Sequence, residues 1–280
     1  MQYPEVFPNL CLAGMDFHLP GLDKNVLSLF INIKNCSGIN LIAANLHSAR
    51  LDGARLDGAS LDGARLDGAR LVRASLVRAS LVRASLDGAR LYGARLDGAR
   101  LDGARLDGAS LVRASLVRAS LVRARLDGAR LDGARLDGAS LVRASLVRAS
   151  LVRASLVRAS LDGARLDGAR LDGARLERAR LDGASLVRAS LVRASLDGAS
   201  LVRASLDGAI FTYNTDSGIN WADLKSKGGV ILYFTASERK RDIRMQLVKA
   251  EAKFFHYVLD NIDIEKTQQE NPDWKIFIIK

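Results

Sequence analysis

The chain has 280 residues and a formal net charge of +11, with 42 Lys+Arg against 31 Asp+Glu. Between Arg50 and Ile210 there are 29 arginines, 17 aspartates and one glutamate, so the whole excess sits on that segment and the flanks balance. Two cysteines, Cys11 and Cys36, are too few for a disulfide framework and lack zinc-site spacing. Met1 to Phe17 has neither a basic start nor an apolar run of signal length, which predicts a cytoplasmic protein with no membrane role, signal-independent export staying open.

In chain order, Phe7, Leu12, Phe17, Leu22 and Leu27 stand five apart, which predicts degenerate first coils within residues 1–38. Ile31, Cys36 and Leu41 belong to a later register, so one residue is missing near Ser28 to Phe30 and an irregularity is expected there. From Leu41 to Leu206 a leucine occupies every fifth position, 34 in unbroken series, and from Leu46 onward alanine precedes it by two. Two words dominate, Leu-Asp-Gly-Ala-Arg and Leu-Val-Arg-Ala-Ser.

A step of five turns ~140° on an α-helix and would spread leucine over every side. On a straight strand it would alternate faces. The pattern is satisfied if each pentad is a short extended face followed by a corner, with Ala and Leu both inward and coils stacked at ~4.8 Å. Val-Arg triplets begin at Leu71 and again at Leu111, forty apart, which favours twenty residues per coil over fifteen. Asp or Tyr then alternates with Val in the column beginning at Leu51, keeping like charges apart.

Ala-Asn-Leu at 44–46 and Ala-Asp-Leu at 222–224 resemble the signature of the pentapeptide-repeat family, and the Ala-Arg-Leu and Ala-Ser-Leu units vary only its middle position. The resemblance implies an all-β solenoid, a right-handed quadrilateral β-helix over 39–213; beyond it the residues read as a terminal coil and a small α/β cap over 214–280. Phe211 and Trp221 keep the leucine register. Val230 to Phe234 reads as a strand, and Thr235 with Glu238 offers a capping box for a helix through Leu259. Ile243, Leu247, Phe254 and Val258 share one face of that helix, and Trp274 to Ile279 reads as a final strand. The simplest role of this segment is a lid. The resemblance adds end-to-end homodimer contact through the same helix, and the two uses stay open.

His18, His47 and His256 lie far apart, the serines have no neighbouring base, and identical units do not converge on a pocket, so no catalytic, metal or cofactor residue is expected. Asp67, Asp87, Asp107 and Asp127 would stack in one column as calcium ligands do. Arg65, Arg105 and Arg125, each two residues before an aspartate, favour local charge pairs instead.

Arginines placed just before Leu, or two after it, should face solvent. They either solubilise the stack with their stems over its corners, or bind an anionic partner, nucleic acid or acidic protein, through Arg73, Arg78, Arg83, Arg113, Arg118 and Arg123. Tyr92 is the one aromatic between Leu46 and Ile210, which counts against base stacking. The resemblance also implies protein partners. Its quinolone-resistance members look like duplex DNA in shape and negative charge and bind DNA gyrase, a role at odds with +11. A non-catalytic interaction scaffold is the leading expectation, with a nonspecific anion binder as the alternative.

Overall fold

A computed structural model describes residues 36–212 and the strands Val230–Phe234 and Trp274–Phe277. The expected cap helix with Ile243, Leu247, Phe254 and Val258 lies outside the described residues, as do the N-terminal pentads, the irregularity near Ser28 to Phe30, and Trp221.

Each pentad makes one corner. In the pentad at Leu121 the Ala124 N–H donates to the Leu121 carbonyl at 3.0 Å, and the residue between them in the turn, Arg123, has φ +58°. A closed four-residue turn with positive φ only at its third residue is type II, which favours glycine there. Leu-Asp-Gly-Ala supplies it, as at Gly128 with φ +66°.

The remaining backbone donors join coils. Leu121 N–H donates to Ser140 and Arg123 N–H to Val142 in the next coil, while Arg125 N–H donates back to Ala104. Bridges such as Arg70↔Arg90, Arg90↔Ser110 and Ser120↔Ser140 fix the step at twenty residues, four pentads per coil, all parallel. The chain is therefore a right-handed quadrilateral β-helix, as the sequence predicts. Its side 1 is headed by Leu51, Leu71 and Leu91, side 2 by Leu56 and Leu76, side 3 by Leu61 and Leu81, and side 4 by Leu66 and Leu86.

The interior is filled by the leucines and the alanines two before them. Every repeat leucine from Leu61 to Leu186 is 0% exposed. Burying each contributes roughly 2 kcal/mol, and none could be buried by its own coil alone. Cys36 takes the leucine position of its pentad and packs against this core, where burial pushes its thiol up.

At the C-terminal end β1 (Ser190–Leu191) pairs in parallel with β2 (Ile210–Thr212), and β2 with β3 (Val230–Phe234), Ile210 opposite Val230. The twenty-residue step thus continues past the last leucine. β4 (Trp274–Phe277) then pairs antiparallel with β3, ending the parallel ladder on a reversed strand. The strand expected at 230–234 is present, and of the final strand expected at 274–279 the described residues Trp274–Phe277 are in strand, 278 and 279 lying outside them. Among the described residues no helix is long and apolar enough to cross a membrane.

The Val-Arg words place arginine in the left-handed region, with φ +56° to +58° at positions such as Arg73, Arg118 and Arg158. Outside glycine this conformation is costly, most of all for β-branched residues. Arg118→Val should accordingly be less stable than Arg118→Gly by about 1–2 kcal/mol in urea titration. Equal midpoints for the two would contradict the turn assignment.

Candidate anion-binding surface

The outward positions of each pentad are the residue before leucine and the two corner residues after it. The corner aspartate does more than carry charge. Its Oδ1 accepts the one backbone N–H that the turn and the ladder leave over in the coil above, as in Val122 N–H to Asp102 at 3.1 Å and Val77 N–H to Asp57 at 2.9 Å. It also accepts a serine hydroxyl, Ser75 to Asp57 at 2.5 Å and Ser120 to Asp102. At such a corner every N–H of the upper pentad can be satisfied, as in the pentad at Leu76, which lies over Asp57.

The reverse stacking has its own logic. A Cβ on Gly93 would sit 3.7 Å from Cγ of Arg73, and one on Gly138 would sit 3.6 Å from Cγ of Arg118. The aliphatic stem of a corner arginine therefore runs under the glycine of the coil above. Where the two words alternate they pack against each other, which charge counting along the sequence does not reveal.

The expected pairing of Arg65, Arg105 and Arg125 with the aspartate two residues on is corrected. Arg105 Nη2 reaches back a coil to Asp87 at 2.5 Å, and Arg125 Nη2 to Asp107 at 2.9 Å. Asp67 takes the Ser85 hydroxyl and the Asp87 N–H. The residue before leucine stands over the corner of the coil below, where a serine donates to the same Oδ1 that takes the backbone N–H and an arginine reaches Oδ2. In the Asp67, Asp87, Asp107 and Asp127 column each carboxylate accepts the N–H 20 residues on, at 3.2, 3.0, 3.0 and 2.9 Å. Elsewhere the expected spacing does pair, more loosely, as Arg55 with Asp57 at 3.9 Å and Arg130 with Asp132 at 3.7 Å. Glu177 departs from the corner rule: Arg175 holds its Oε1 at 3.2 Å while Oε2 is buried without a partner.

These ion pairs involve arginines that precede leucine. Arg73, Arg78, Arg83, Arg113, Arg118 and Arg123 are exposed corner residues and meet no carboxylate among the described residues. They do not form one patch. Arg73 and Arg113 lie on side 1, Arg78 and Arg118 on side 2, Arg83 and Arg123 on side 3, with members of each pair two coils, roughly 10 Å, apart. Tyr92 lies between the side 1 pair, its hydroxyl accepting from Arg113 Nη1 at 3.1 Å. Among the described residues no group of three or more His, Cys, Asp or Glu could hold a metal ion.

Residues 35–72, 64–103, 99–138, 139–178 and 174–212 match the sequence family described as pentapeptide repeats, in 8 copies. No curated protein matches the chain. Among solved structures the chain is similar to HetL, a pentapeptide repeat protein involved in heterocyst differentiation regulation in the cyanobacterium Nostoc sp. The two are 34% identical over 66% of this chain and 89% of HetL, with a TM-score of 0.39. Rfr23 from the cyanobacterium Cyanothece is 39% identical over 31% of this chain and 59% of its own, with a TM-score of 0.31. QnrB1, a plasmid-mediated fluoroquinolone resistance protein, is 16% identical over 78% of this chain and 99% of its own, with a TM-score of 0.45.

Proposed function

This chain belongs to the pentapeptide-repeat family, and from that premise we propose that it works without catalysis, as a rigid interaction scaffold whose basic outer surface holds a polyanionic partner. The observation that carries this reading is that Arg73, Arg78, Arg83, Arg113, Arg118 and Arg123 meet no carboxylate among the described residues. Arginines before leucine have most of their charge met by aspartate, so the corners present the excess. Held on a parallel ladder, the backbone positions of those arginines keep their spacing, so binding an anion has only side-chain freedom left to order.

Two further facts agree with a scaffold. The interior is packed with leucine and alanine, and the outward positions repeat a few side chains, whereas catalysis needs different groups converging in one place. A role as a negatively charged mimic does not suit a net charge of +11. A reducing cytoplasmic setting accords with two cysteines in 280 residues.

Fluorescence anisotropy of the full chain against two probes, polyglutamate and a random-sequence DNA duplex, tests the reading. Binding to at least one of them at 50 mM salt, weakening log-linearly as salt rises, is expected. Absence of binding to both at that salt would overturn it.

A further inference from the structure

The twenty-residue register sorts the charge by side, which the linear sequence hides. Counting each leucine-headed corner with the residue before it, side 1 carries nine arginines against three carboxylates, and side 2 eight against five. Side 3 carries six against four, and side 4 six against six. Sides 1 and 2 are adjacent, so nearly all of the excess lies on one half of the prism.

Within that half one region is denser still. Arg50, Arg70 and Arg90 stack on consecutive coils, joined by the bridges Arg50↔Arg70 and Arg70↔Arg90. Arg70 meets Asp52 at 2.9 Å, but Arg90 has no carboxylate within ion-pair reach among the described residues. The corner 18 residues back, where Arg70 finds Asp52, is Val72 for Arg90. Where the prevailing word would put an aspartate two residues after Arg90, the chain has Tyr92, 36% exposed. Arg73 and Arg113 flank it in the corner column.

From this arrangement we propose that side 1, extending onto side 2, is a docking face for double-stranded nucleic acid, bound along the axis of the prism through its phosphates. The inference rests on the polyanion reading and names its partner. The described coils run about 40 Å at ~4.8 Å per coil, and the arginines repeat along that length. A duplex is a linear polyanion with one charge per ~1.7 Å of axis, and neutralising its phosphates needs only a matching row of cations. An acidic protein is the poorer fit, since protein interfaces centre on desolvated aromatic or aliphatic anchors and this face offers Tyr92 alone. A single strand is poorer for the same reason, because its bases need recurring aromatic platforms. A flat ladder face has no helix or ribbon projecting into a groove, so its arginines meet phosphates and binding is indifferent to sequence.

The test uses substitutions that the repeat itself contains at the same positions, so the fold is retained. A side 1 variant combines Arg50→Ser, Arg90→Ser, Arg73→Gly and Arg113→Gly. A side 4 variant removes the same charge through Arg65→Ser, Arg165→Ser, Arg148→Gly and Arg188→Gly. Duplex binding by the full chain is followed by anisotropy between 50 and 200 mM salt, with circular dichroism melts as the folding control. The side 1 variant should bind about tenfold or more weakly at 100 mM salt with a salt slope shallower by about 3, and the side 4 variant less than about threefold more weakly. Tyr92→Asp, which restores the prevailing word, should also weaken binding. Equal losses from both variants, or binding of polyglutamate without the duplex, would overturn the docking face and leave the polyanion reading standing. Binding of neither probe would remove both.

Discussion

Leu126→Ala is expected to lower the stability of the chain by about 2–5 kcal/mol, read as a fall in urea midpoint. Leu126 is 0% exposed, and its column neighbours Leu106 and Leu146 belong to the coils below and above. Those coils are held by their own backbone ladder, so they cannot collapse into the vacated space, and the cavity term adds to the lost transfer energy. Because stability in a solenoid is a sum over neighbouring coils, the deficit should also appear as a local loss of hydrogen-exchange protection spreading from the coil of Leu126. A change below about 0.5 kcal/mol would mean that the leucine is not packed as described.

Ser120→Pro should be at least as damaging, about 3 kcal/mol or more. Ser120 N–H donates to the Ala99 carbonyl at 2.9 Å, and its hydroxyl donates to Asp102. Proline removes both donors at the centre of a parallel ladder, a place where it is not tolerated. It would leave the Ala99 carbonyl without its donor and Asp102 with the Val122 N–H alone. Ser120→Arg is the matched control. Arginine occupies this position in many pentads and pairs with the aspartate below, as Arg105 does with Asp87. That variant should stay within about 0.5 kcal/mol of the parent. Comparable losses in the two variants would show that the side chain, and not the backbone donor, is what matters.

The interior was legible because it depends on one regularity, leucine by fives with alanine two before it, and on the failure of helix and strand to accommodate that period. Phe211, 1% exposed, kept the leucine register as expected. The outside was only half legible. Arg73 and Arg118 could be identified as outward-facing, but not that they sit in left-handed turns with their stems beneath Gly93 and Gly138. The partners of Arg105 and Arg125 were assigned along the chain, where sequence neighbours are visible, while the structure pairs them across coils at a separation of 18 residues. The backbone role of Asp57 and Asp102 has a sequence signal in hindsight: aspartate followed 18 residues later by serine. Its use requires the coil length to be known first. The sidedness of the charge depends on that number as well.

Spin-label distance measurement therefore addresses the central claim most directly. With Cys11 and Cys36 replaced by alanine, labels at Arg50→Cys and Arg170→Cys lie on the same side, six coils apart if each coil holds twenty residues. The expected separation is a narrow distribution near ~29 Å, from ~4.8 Å per coil. A fifteen-residue coil would place the same labels eight coils apart, near ~38 Å. That longer distance, or a broad distribution, would contradict the register on which the arginine columns and the docking face depend.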